Sequence, residues 1–265
     1  MTARSKLFAA LFVLPCVFAS VAVAAPPKHI QVLFVGNSLT YVGNLPAVLE
    51  ALAASNGESL QADMIVKGGA TLTQWLDSGA VRRALKAKHY DYVVLQERGN
   101  DFACGFGPQV CKDSRHALHA LAQMVRGHGA RPILMGTYQV DHDASEALVG
   151  AESKAAVSDG VPYIDVSQPL NAGRERIPHD NWFAKAGHPG HALVLLEAVL
   201  LYRHVYDVPP QVKAFEVRAP MFVPGSTFTP PAPVSLPLLP EVALSGGYDY
   251  SRDEVANAIS LASGP

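Results

Sequence analysis

Residues 30–40 read Ile30-Gln31-Val32-Leu33-Phe34-Val35-Gly36-Asn37-Ser38-Leu39-Thr40. A short, largely apolar and β-branched run that ends at a glycine is the pattern of a strand buried on both faces. Leu45 to Ser55 then follows with helical spacing, Pro46 being acceptable in a first turn. The alternation repeats downstream. Strands are predicted at 60–66, 92–95, 132–138 and 161–166, and helices at 71–88 (broken near Gly79), 113–126 (capped by Asp113 or Ser114), 144–158 and 190–205. Apolar strands alternating with helices imply a three-layer α/β/α sandwich on a parallel sheet with right-handed crossovers.

Either side of this body the texture differs. Arg4 and Lys6 precede an apolar run to about Val23, and Ala22-Val23-Ala24 fits a small-x-small cleavage site. Residues 1–24 therefore read as a signal peptide, which predicts an exported protein, periplasmic or secreted, with no membrane span once the leader is cut. Residues 25–207 form the α/β domain. Residues 208–265 form a proline-rich tail, with a terminal helix expected at 250–262 and Ser251 as its cap. The formal net charge is −2, and removing Arg4 and Lys6 makes it more negative, so no basic field for nucleic acid exists. The two cysteines beyond the leader, Cys104 and Cys111, are expected to form a disulfide in an oxidising compartment.

Ligands of an open parallel sheet bind beyond the carboxyl ends of its strands. Those ends deliver Ser38 after the first strand, Gly68-Gly69 after the second, Gln96 to Asp101 after the third, and His188-Pro189 just before the 190–205 helix. A hydroxyl, a glycine backbone, a carboxamide and an imidazole are what acyl transfer from an ester needs. The imidazole activates the hydroxyl, and fixed N–H donors hold the oxyanion of the tetrahedral intermediate. Backbone N–H groups of Ser38 and Gly69 and the amide of Asn100 supply three such donors.

Four blocks here resemble the SGNH (GDSL-like) hydrolase family, in the family's order over residues 30–205. Gly36-Asn37-Ser38-Leu39-Thr40 resembles its Gly-Asp-Ser-Leu block, with Asn for Asp. Gly69-Ala70-Thr71 resembles the second, Gly99-Asn100-Asp101 the end of the third (Gly-x-Asn-Asp), and His188-Pro189 the histidine end of the fifth. The resemblance implies a flavodoxin-like sheet of about five strands. It also implies a serine ester hydrolase using neither metal nor organic cofactor, acting on small-molecule or carbohydrate esters. Acetyl esters of glycans are the first expectation.

Two departures matter. Lys185 stands three residues before His188, where the family has the aspartate that orients the histidine. Asp180 could substitute if 181–187 loops back, and a backbone carbonyl could orient a Ser–His dyad instead. Arg98 replaces the first glycine of the third block, and the adjoining Gln96 is the alternative to Asn100 as amide donor, Asn100 being preferred. Lys185 also keeps open a catalytically impaired protein that binds acylated glycans; an acetyltransferase between envelope glycans would use the same residues. The simplest reading of Ser38 alone is a helix cap. Glu97 and Arg98 are expected to pair at the pocket rim, Trp182 and Phe183 to line it, and His116, His119 and His191 to stay outside the chemistry.

Overall fold

A computed structural model describes residues 29–226 and 247–264 of the chain; the leader assigned to residues 1–24 lies outside them. In chain order the elements are β1 (His29–Gly36), α1 (Ser38–Tyr41), α2 (Leu45–Ser55), β2 (Ser59–Val66), α3 (Leu72–Ser78), α4 (Ala80–Ala87), β3 (Tyr92–Leu95), α5 (Pro108–Gly127), β4 (Arg131–Met135), α6 (His142–Ser158), β5 (Tyr163–Ile164), α7 (Ser167–Arg176), a short 3-10 turn (Lys185–Gly187), α8 (His191–Tyr206), β6 (Phe215–Val217), β7 (Tyr248–Tyr250) and α9 (Arg252–Ala262).

The main sheet runs β2-β1-β3-β4-β5, all parallel. Neighbouring residues of β1 serve opposite cores. Val32 and Phe34 join the apolar cluster under α2, α8 and α9, whereas Leu33 and Val35 join the one under α3, α5 and α6. A strand buried on both faces cannot alternate apolar with polar, which is why residues 32–35 are apolar throughout. The architecture is the expected three-layer sandwich. Its strand order reverses between β1 and β3, so the crevice for ligands opens where those two strands end.

Several boundaries differ from expectation for local reasons. The 71–88 helix divides into α3 and α4 at Gly79, whose φ of 68° is left-handed. Asp113 and Ser114 do not cap α5: the helix begins earlier, with Pro108 in its first turn, and Ser114 is buried inside it. β5 spans only two residues. Helix α7 is additional to the helices the sequence predicts, because Pro169 and Gly173 disguise it. Both are accommodated: the proline lies in the first turn, and a Cβ on Gly173 would stand 2.6 Å from the Trp182 ring. Beyond residue 207, β6 pairs antiparallel with β7, and α9 packs on α8 with Ser251 completing a capping box with Glu254.

Cys104 and Cys111 are joined by a disulfide. Its loop is small, so reduction should cost roughly 2–3 kcal/mol at most; a lower Tm in dithiothreitol, with two thiols titrating only after reduction, is the expected result.

Burial also sets a pH dependence. Desolvation raises Glu50, Glu97 and Glu152 from 4.5 to about 7 each. A carboxyl whose folded pKa lies above its unfolded one binds its proton more tightly when folded. The stability it contributes is present below the unfolded pKa and is lost as pH rises towards the folded one. Burial lowers His191 and His204, which acts in the opposite sense but with fewer groups. The Tm should therefore be higher near about pH 5.5 than near about pH 8; an equal or lower value in thermal melts would contradict this assignment.

Candidate active site

Gly36 ends β1 where no side chain fits, since a Cβ there would lie 2.1 Å from the Thr40 hydroxyl. Asn37, 1% exposed, opens α1. Its Oδ1 accepts from the Leu39 N–H (3.0 Å), and its Nδ2 donates to the Ala70 carbonyl (3.2 Å), tying the first loop to the second. An ionised aspartate could accept the first bond but not donate the second, which gives the asparagine a physical reason. Because Asn37 caps the helix, Ser38 does not. The Ser38 side chain is partly exposed and its hydroxyl has no hydrogen-bond partner among the described residues.

Gly69 is exposed in the left-handed region (φ 66°) within the turn after β2. Neither its N–H nor that of Ser38 donates to a backbone carbonyl among the described residues. The turn is held from β3. Glu97, fully buried, accepts from the Leu72 N–H through both carboxylate oxygens (3.2 and 3.3 Å) and from the Arg98 N–H (2.8 Å). The expected Glu97–Arg98 ion pair is absent. The guanidinium instead grips the buried Asp101 carboxylate, Nε to Oδ2 at 3.1 Å and Nη2 to Oδ1 at 2.8 Å. Successive residues leaving a strand point to opposite sides, so the neighbours cannot meet.

The two candidate carboxamides are placed differently. Gln96, 2% exposed, follows β3 directly; its Oε1 accepts from the Thr40 hydroxyl (2.6 Å) and its buried Nε2 has no partner among the described residues. Asn100 adopts a left-handed backbone (φ 78°) and lays its side chain against Gly105, where an added Cβ would stand 2.1 Å from Nδ2.

His188 stands at the end of a hairpin. Ala184 N–H donates to the His188 carbonyl and Gly190 N–H to the Trp182 carbonyl, both at 2.8 Å, while Phe183 bridges to Pro189. Ala186 and Gly187, both left-handed, turn the chain so that the Lys185 carbonyl faces the imidazole, and Nδ1 lies 2.9 Å from that oxygen. Nδ1 therefore carries the proton and Nε2 is the basic nitrogen. Asp180 forms no ion pair or hydrogen bond with His188 among the described residues; its charged neighbours are Glu254 and His191. His191 stacks on Tyr250 (4.1 Å between centroids), and His119 pairs with Asp159 (2.6 Å). Phe183 packs on buried Tyr138, and Trp182 is itself buried. No hydrogen bond joins Ser38 to His188, although both occupy the carboxyl edge of the sheet.

This edge, with its reversal between β1 and β3, is that of a doubly wound parallel α/β sandwich. No protein-family model matches the chain, and no curated protein sequence does. Solved structures do. A candidate SGNH hydrolase from Slackia heliotrinireducens aligns with a TM-score of 0.56 and 24% identity, over 67% of this chain and 100% of its own. The lipase/acylhydrolase of Enterococcus faecalis gives 0.53 and 18%, over 69% and 99%. An acetyl-xylooligosaccharide esterase from Geobacillus gives 0.51 and 14%, over 69% and 94%. The chain has the SGNH/GDSL-like hydrolase fold, the fold of these lipases and esterases.

Proposed function

We propose that this protein is an exported serine ester hydrolase in which Ser38 is the nucleophile and His188 the general base. The observation that carries the reading is the His188 Nδ1 contact with the Lys185 carbonyl. It fixes the tautomer and leaves Nε2 free to take a proton, on the same sheet edge as an uncommitted serine hydroxyl. A backbone oxygen thus performs the orienting task of the missing acid, and Asp180 has no part in it.

In the first step Nε2 removes the Ser38 proton as Oγ bonds to the ester carbonyl carbon. The tetrahedral intermediate collapses, the C–O bond to the alcohol breaks, and the imidazolium gives that alcohol its proton. Water, deprotonated by His188, then releases the acid from the acyl-enzyme. The oxyanion is received by the N–H groups of Ser38 and Gly69 and by one carboxamide. For that third donor the unpartnered Nε2 of Gln96 favours Gln96, and the turning of Asn100 onto Gly105 disfavours the residue preferred from sequence. The disulfide supports an oxidising compartment, and acetylated carbohydrates are the substrates we favour.

The test is hydrolysis of p-nitrophenyl acetate by residues 25–265, with Ser38→Ala and His188→Ala alongside. Turnover removed by both substitutions supports the assignment. A wild type no faster than Ser38→Ala would overturn it and favour the competing reading, a silent glycan-binding protein, for which Lys185 and the missing Ser38–His188 hydrogen bond speak.

A further inference from the structure

Phe106 is the one aromatic residue among the large exposed hydrophobics of the described residues, at 54% exposed. Fully burying such a ring is worth about 1.5–3 kcal/mol, so leaving it in water has a cost. It is also firmly mounted. The Arg98 guanidinium lies over its ring, 4.2 Å from the centroid, and is itself fixed by the two hydrogen bonds to Asp101. The loop that carries the ring is closed by the Cys104–Cys111 disulfide and by Gly105 N–H to Asn100 O (3.0 Å) and Gly107 N–H to Cys104 O (2.9 Å). No other ring contacts Phe106 among the described residues.

The mount belongs to the catalytic edge. Arg98 lies two residues beyond Gln96, and a Cβ on the adjoining Gly99 would stand 2.9 Å from the Gln139 amide. The next residue along, Val140, is 52% exposed and lies 3.2 Å from where a Cβ on Gly187 would be, beside His188. The rim therefore runs from Phe106 through Arg98 and Gln139 to the histidine hairpin. Two groups along it have hydrogen bonds to give and no protein partner among the described residues: Arg98 Nη1 and the Gln139 carboxamide.

We infer that Phe106 is a stacking platform for a pyranose ring in the alcohol part of the substrate, with Arg98 and Gln139 receiving its hydroxyls. The inference rests on the esterase reading and names the substrate class of that site as acylated glycans. A flat apolar face with polar donors around its edge matches a sugar ring, which has apolar C–H faces and a polar perimeter. An acyl chain would instead call for an enclosed apolar channel, which a half-exposed ring on a rim does not supply.

The test measures binding apart from turnover. Calorimetry on Ser38→Ala protein, against acetylated xylo-, manno- and chito-oligosaccharides, should find at least one ligand whose Kd rises about tenfold when Phe106→Ala is added, as for one lost stacking contact. Phe106→Tyr should restore the affinity. In the active background, Phe106→Ala should lower the ratio of kcat/KM for that glycan ester to kcat/KM for p-nitrophenyl acetate by about the same factor. Unchanged Kd in Phe106→Ala, or no binding across the panel, overturns the inference. Failure of the esterase reading would appear separately, as p-nitrophenyl acetate hydrolysis that does not depend on Ser38.

Discussion

Ester hydrolysis by the Ser38→Ala protein is expected to fall by a factor of about ten thousand to a million, with His188→Ala falling about as far. The reason is that the pair acts as one unit: the hydroxyl is a weak nucleophile without the imidazole, and the imidazole has nothing to activate without the hydroxyl. The double variant should accordingly be no slower than the slower single one. Effects that multiplied would show independent action and count against the mechanism. Stability should move little in Ser38→Ala, because α1 is capped by Asn37 and the Ser38 hydroxyl has no partner to lose. Thermal melts beside the kinetics separate loss of chemistry from loss of fold.

The next largest effect is expected at Gln96. Removing one oxyanion donor costs about a hundred- to a thousandfold in kcat, so Gln96→Ala should reach that range with KM little changed, whereas Asn100→Ala should not. Gln96→Ala also leaves the buried Thr40 hydroxyl without its acceptor, a penalty of about 1–3 kcal/mol in stability. If Asn100→Ala loses kcat and Gln96→Ala does not, Asn100 is the third donor.

The fold was legible because a doubly buried strand has to be apolar throughout. That requirement marks Val32–Val35 and Tyr92–Leu95 in one sequence with no further information. α7 was not legible, since Pro169 and Gly173 read as breakers until Trp182 is seen filling the space above Gly173. At the candidate site, Ser38 and Gly69 follow closely on β1 and β2, so the strand ends alone put them on one edge of the sheet, whereas α7 and a 3-10 turn separate His188 from β5. The proposed preference for Gln96 over Asn100 rests on burial and on a left-handed backbone at Asn100, neither of which spacing carries. Asp180 lies only eight residues before His188, but spacing says nothing of side-chain direction, and the hairpin supplies a carbonyl instead.

The turn at 185–188 has a further consequence for how this chain varies. An orienting atom that belongs to the peptide backbone is present whichever amino acid occupies position 185. On the proposed mechanism the side chain there, exposed in this structure, takes no part in the chemistry, and lysine at 185 carries no penalty as long as Ala186 and Gly187 keep the turn. Tolerance should accordingly be broad at 185 and narrow at 187, where a left-handed φ of 73° excludes most side chains. A signature that demands an acid three positions before the histidine would discard such a chain, although the constraint has only moved from a side chain to the shape of a loop.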